Sequence, residues 1–174
     1  MTARRRAAPW WSADDAAAVK VAGDAIAEYT AAKLAADEVL TFLGEERRAR
    51  ERMEMGEEGR FSYVILRPGL LTDEPPTGRV RLGRTRGLGR VSRGDVAAVA
   101  AELLGKEGAN GWYDVLEGER TVEEEVERVV REGENSVEGE RFEEMRETMD
   151  RYVGAWREGD AGGFDFTAPR WEGW

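Results

Sequence analysis

Two apolar runs constrain this chain more than anything else in it. Residues 61–66 carry Phe61, Tyr63, Val64, Ile65 and Leu66 in nearly unbroken apolarity. That content suits a strand buried on both faces of a parallel sheet. Residues 111–117, with Trp112, Tyr113, Val115 and Leu116, read as a second strand. Before, between and after them the apolar positions fall at helical spacing. Helix, strand, helix, strand, helix is the alternation of an α/β sheet. Two parallel strands cannot cover themselves. The chain therefore reads as part of a doubly wound sheet rather than the whole of one.

The remaining elements follow from caps and breakers. Residues 1–11 read as a loose leading segment. Ser12 followed by Asp15 marks a helix start. One long alanine-rich helix is expected over 13–43, with Val19, Ile26, Leu34 and Leu40 along it, ending at Gly44 or in the charged run after it. Residues 45–60 read as a solvated helical extension or an excursion, closed by Gly56 and Gly59. After Arg67-Pro68-Gly69 comes a loop over 70–78, then a hairpin of short strands at 79–82 and 89–91. A helix starts at Ser92 or Gly94 and stops at Gly105 or Gly108. Thr121 with Glu124 makes a capping box for a helix that buries Val122, Val126, Val129 and Val130. An acidic helix is expected over 138–156, and the Gly- and Trp-rich end, 159–174, reads as loosely ordered. The expected division is 1–11 leading segment, 12–134 partial Rossmann-like domain, and 135–174 acidic helical tail.

Charge and composition exclude several functions. The formal net charge is −10, from 26 basic and 36 acidic residues, which disfavours nucleic acid and anionic membrane as partners. The surplus of acid belongs to residues 119–174. Residues 79–93 show the reverse, with six arginines and no acid. Without cysteine there is no disulfide, thiolate metal site or thiol nucleophile. Without histidine there is no imidazole base or ligand. Acid–base chemistry must fall to Tyr, Lys, Asp or Glu. No run is apolar enough to span a bilayer and no secretory signal is recognisable, so the expected compartment is the cytoplasm.

Tyr29 and Lys33 are four residues apart, which puts both on one helix face about a turn apart. A phenol is a weak proton donor and acceptor at neutral pH, and a neighbouring ammonium favours its ionised form. The pair suits proton transfer to a carbonyl or from a hydroxyl. The same spacing arises readily on an ordinary helix surface.

Taken in order, Tyr29-x-x-x-Lys33, Arg67-Pro68-Gly69 and Ser92-Arg93-x-Asp95-Val96-Ala97 resemble the C-terminal half of the atypical short-chain dehydrogenases, the NmrA-like NAD(P)-binding proteins with a Rossmann fold. The resemblance covers about residues 24–140. It implies an α/β fold: the C-terminal portion of a Rossmann-like parallel sheet with flanking helices, its first βαβαβ half missing, plus an acidic helical tail. It implies an NAD(P)-binding oxidoreductase in which Tyr29 is the acid–base residue and Lys33 binds the nicotinamide ribose and tunes Tyr29. Pro68, Gly69, Leu70 and Leu71 would lie beside the nicotinamide, and Asp95 would anchor its helix. The implied partners are the nicotinamide dinucleotide and a small-molecule substrate.

The family's glycine-rich phosphate loop and its partner serine are absent ahead of Tyr29. Gly83, Gly87 and Gly89 do not lie between a strand and a helix. Weak or no dinucleotide binding by this chain, as in a truncated enzyme, is therefore expected. The alternative is a non-enzymatic interaction module, or a fragment derived from such a protein, self-associating through uncovered sheet surface.

Overall fold

The computed structural model describes residues 3–55 and 61–154. The element order is α1 (Ala13–Asp24), α2 (Ala27–Met55), β1 (Val64–Pro68), β2 (Leu70–Thr72), β3 (Arg79–Gly83), β4 (Arg90–Ser92), α3 (Arg93–Leu104), β5 (Gly111–Glu117), β6 (Arg120–Thr121), α4 (Val122–Glu132) and α5 (Phe142–Met149). A π-helical turn over Asp150–Gly154 follows α5. The fold is mixed α/β. A four-stranded sheet runs β1-β5-β3-β6, and β2 and β4 form a separate two-stranded sheet. β1 and β5 are parallel, as are β2 and β4, whereas β3 is antiparallel to β5 and β6.

α3 and α4 cover one sheet face, where Val80, Leu82, Val99, Leu103, Val115 and Val126 form the larger core. α2 and α5 cover the other, where Ile65 and Trp112 meet Phe42, Tyr63 and Met145. Trp112 is fully buried and its indole N–H donates to Thr41 Oγ1 of α2 at 2.6 Å. Burial of both faces explains why 64–66 reads as a continuous apolar run and 112–116 as one interrupted only by Asp114.

Several expectations hold. Ser12 caps α1, Ser92 caps α3, and Gly105 ends α3. Thr121 and Glu124 form the capping box. The charged residues 45–55 continue α2 as a helical extension, while Gly56 and Gly59 lie outside the described residues.

Others need correction. The expected single helix over 13–43 is two, broken at Ala25 and Ile26. Gly44 does not stop α2. A Cβ there would come within 2.5 Å of the Tyr63 ring, so the glycine serves close packing of helix on strand. The hairpin over 79–91 is not formed. β3 joins the main sheet beside β5, and β4 pairs with β2, which lies within the expected loop. Gly83, at φ +90°, turns the chain out of β3. The expected acidic helix is shorter, since α5 begins at Phe142 and the π-helical turn ends at Gly154. Trp156 and residues 159–174 lie outside the described residues.

Residues 3–11, expected as a loose segment, are held along the molecule by two helices, α2 and α5, and two loops. Arg4 donates to the carbonyls of Ser136 and Glu138, and Arg5 pairs with Glu38 at 2.6 Å. Arg6 pairs with Glu144. The indoles of Trp10 and Trp11 both donate to the Thr85 carbonyl. No helix among the described residues is long and apolar enough to cross a membrane.

Candidate active site

Tyr29 and Lys33 stand on the first turns of α2. Tyr29 is 60% exposed and Lys33 is half-buried. Thr30, beside Tyr29, lines a cleft of about 570 Å³ bounded by residues 3–7 and α1. One turn after Lys33, Asp37 meets Arg67 Nε at 3.5 Å. Burial holds the Asp37 carboxyl above the usual carboxylate range, against the pull of Arg67 and Lys33. The Asp37–Arg67 contact thus joins α2 to the penultimate residue of β1.

Arg67 is 3% exposed. Its guanidinium lies 4.2 Å from the centre of the Trp112 ring and donates to the Ala3 carbonyl. Arg67 and Asp114 are direct neighbours in the parallel register, with Nε 3.9 Å from Oδ1. Ser136 Oγ donates to the same oxygen at 3.0 Å. Burial pushes the Asp114 carboxyl up to about 6, while Arg67 and Arg4 pull the other way.

A carboxyl whose pKa rises on folding binds its proton more tightly in the folded state. Its contribution to stability is fully present below the unfolded value of 3.8 and is lost as pH rises through about 6. Comparing wild type with Asp114→Asn cancels the other titrating groups to first order. The stability difference should move by about 2–3 kcal/mol in favour of wild type between pH 7 and pH 4. Urea unfolding at the two pH values measures it, and a constant difference contradicts the burial of a charged Asp114.

Beyond Arg67 the chain turns sharply. The Gly69 N–H donates to the Val115 carbonyl at 3.0 Å and the Leu70 N–H to the Gly89 carbonyl at 2.8 Å. A Cβ on Gly69 would lie 2.5 Å from both the Gly89 oxygen and Leu116 Cδ2, so the turn needs glycine. Leu70 and Leu71 emerge exposed. Leu70, Arg86, Gly89, Arg90, Leu116 and Glu117 line a cleft of about 520 Å³ at the carboxyl ends of β1 and β5. Open α/β sheets place ligands at that edge.

Of the residues expected at the site, Leu70 lines this cleft, and Pro68, Gly69 and Leu71 adjoin it in the chain. Tyr29 and Lys33 do not line it; on their helix, Asp37 is the residue that meets the strand end. Sequence reading missed Asp37, Arg67 and Asp114. The available signals were the i, i+4 step from Lys33 to Asp37 and charged residues inside two apolar strands. Asp95 accepts from the backbone of Thr77 and Gly78, so it anchors its helix and the preceding loop as expected.

The family model described as NAD(P)H-binding matches residues 11–107, more than half of the chain. The chain belongs to the NAD(P)H-binding family. It is an NmrA-like protein of the atypical short-chain dehydrogenase type. A curated relative, the uncharacterized sugar epimerase YhfK of Bacillus subtilis, is 37% identical over 70 residues, covering 40% of this chain and 33% of the relative. A putative NAD-dependent epimerase/dehydratase from Bacillus halodurans of known structure is 34% identical, with a TM-score of 0.37, covering 39% of this chain and 33% of that one. The oxidoreductase YlbE from Lactococcus lactis is 23% identical, with a TM-score of 0.38, covering 48% of this chain and 37% of that one. The match thus spans about a third of each relative's length.

For an NAD(P)H-binding chain, the two ends of the dinucleotide fit differently. At the carboxyl ends of β1 and β5 an open cleft is available. For the pyrophosphate, the glycines of the arginine-rich stretch form no cradle. The Cβ positions of Gly83, Gly87 and Gly89 are occupied by Glu134, Val19 and Leu116 of the chain itself. Among the described residues no cluster of three or more acidic side chains could hold a metal ion.

Proposed function

We propose that this chain forms the nicotinamide-side and substrate-side part of an NAD(P)-dependent oxidoreductase or epimerase. The observation that carries the proposal is the Asp37–Arg67 contact, which ties the Tyr29 helix to the carboxyl end of β1. Nicotinamide, when bound, supplies hydride chemistry. Tyr29 gives or takes the substrate proton at its phenolic oxygen, and Lys33 holds the ribose. Pro68, Gly69, Leu70 and Leu71 present an apolar edge that excludes water from the reacting ring. The exposed Tyr29 is consistent with a group that meets its ligand at a surface.

With no pyrophosphate cradle formed by the glycines of the arginine-rich stretch, the chain by itself should bind NADPH only weakly, with a dissociation constant of about 1 mM or weaker. Lys33→Ala should weaken it by a further ~3–10-fold, since it removes one charge-assisted contact. A titration followed by NADPH fluorescence measures both. Micromolar binding overturns the weak-binding prediction, and an unaltered affinity in Lys33→Ala overturns the role of Lys33. No binding even at millimolar NADPH leaves the interaction-module reading, which the exposed Leu40, Leu43 and Tyr152 on one side of α2 favour.

A further inference from the structure

Five of the six arginines in residues 79–93 are engaged. Arg79 donates to the Glu119 carbonyl, and Arg81 pairs with Glu125. Arg84 pairs with Glu138 of the acidic tail, Arg90 with Glu117 and Glu74, and Arg93 with Asp73. Arg86 is the exception. It is exposed and lines the cleft beside Leu70; its carbonyl accepts from the Thr85 hydroxyl, but its guanidinium has no hydrogen-bond or ion-pair partner among the described residues.

Its backbone is nevertheless fixed on both sides. The Thr85 carbonyl accepts the indole N–H groups of Trp10 at 2.8 Å and Trp11 at 3.0 Å. Gly87 is wedged so closely against Val19 that no Cβ would fit. A guanidinium held on a rigid segment, uncompensated and facing a ligand-sized cleft, has its fork geometry available for an oxyanion.

We propose that Arg86 binds the phosphate group of a small phosphate ester seated in this cleft. The inference rests on the cleft at the carboxyl ends of β1 and β5 being the ligand site. Leu70 and Leu116 give the body of the ester an apolar wall. Glu117 is already neutralised by Arg90, so it opposes the anion less than a free carboxylate would. The rim also carries Glu119, whose carboxylate suits hydroxyl donors on the same ligand. Two sources supply this chemistry: a phosphorylated polyol as substrate, or the nicotinamide mononucleotide half of the cofactor.

The test uses the full chain and the indole N–H resonances of Trp10 and Trp11, which sit on the carbonyl next to Arg86. Glucose 6-phosphate, nicotinamide mononucleotide and inorganic phosphate are titrated separately at low salt, with unphosphorylated glucose as the control. At least one phosphate ester should shift these resonances, glucose should not, and Arg86→Ala should weaken the ester's binding by 10-fold or more. Arg86→Lys should recover part of the loss, and Arg93→Ala, outside the cleft, should match wild type. The tighter of the two esters identifies the source. Undiminished binding in Arg86→Ala, or no response to any phosphate, overturns the proposal. Lys33→Ala leaves inorganic phosphate binding unchanged if Arg86 holds it, so failure here is distinguishable from failure of the nicotinamide site.

Discussion

Arg67→Met lowers stability by about 3–5 kcal/mol, because it leaves a buried carboxylate without its main counter-charge. Asp114 is 1% exposed, its Oδ2 has no hydrogen-bond partner among the described residues, and Arg67 is its neighbour in the β1–β5 register. Arg67 also fills the space over Trp112, which methionine restores only in part. Most of the loss should therefore come from charge. Two consequences separate charge from packing. The double variant Arg67→Met, Asp114→Leu should recover more than half of the loss, since a well-packed apolar pair costs less than a lone buried ion. The loss in Arg67→Met alone should also shrink at pH 5, where Asp114 can take up a proton. Urea unfolding followed by circular dichroism measures all three, and simply additive losses in the double variant would contradict the ion-pair account.

Trp112→Ala should cost a similar ~3–5 kcal/mol, for a different reason. The indole has no exposed surface and joins the sheet to both helices of its face, through Phe42 of α2 and Met145 of α5. Its N–H donor to Thr41 would be lost with it. Trp112→Phe should cost less, about 1–3 kcal/mol, by keeping most of the contact and leaving the Thr41 hydroxyl without its partner. The effect should reach the site, because α2 carries Lys33 and Asp37 only as well as Trp112 seats it. In Trp112→Ala the amide of Asp37 should exchange faster with solvent. A loss under about 1 kcal/mol would mean that α2 docks by other contacts.

The two long strands were legible because both of their faces are buried, which forces continuous apolarity. The caps at Ser12, Ser92 and Thr121 were legible because side-chain capping is local chemistry. The pairing of β3 and β4 was not. Short arginine-bearing segments separated by glycines look like a hairpin locally, and only tertiary contacts assign β3 to β5 and β4 to β2. The Glu123–Glu125 run shows the same limit. As acids in a first helical turn all three suit the helix dipole, yet Glu125 is buried and accepts from the Leu82 N–H and from Arg128. At the candidate site, the family motifs pointed to Tyr29, Lys33 and the Arg67-Pro68-Gly69 turn. The Asp37–Arg67 pair depends on which helix face meets which strand, which no spacing in the sequence encodes.

Backbone amide shifts on adding millimolar NADPH test the site most directly. If α2 and the end of β1 form the nicotinamide-side surface, the largest shifts should fall on Tyr29, Lys33, Gly69, Leu70 and Leu71, with weak saturation. Saturable shifts that avoid these residues and cluster elsewhere, for example on α4, would contradict it.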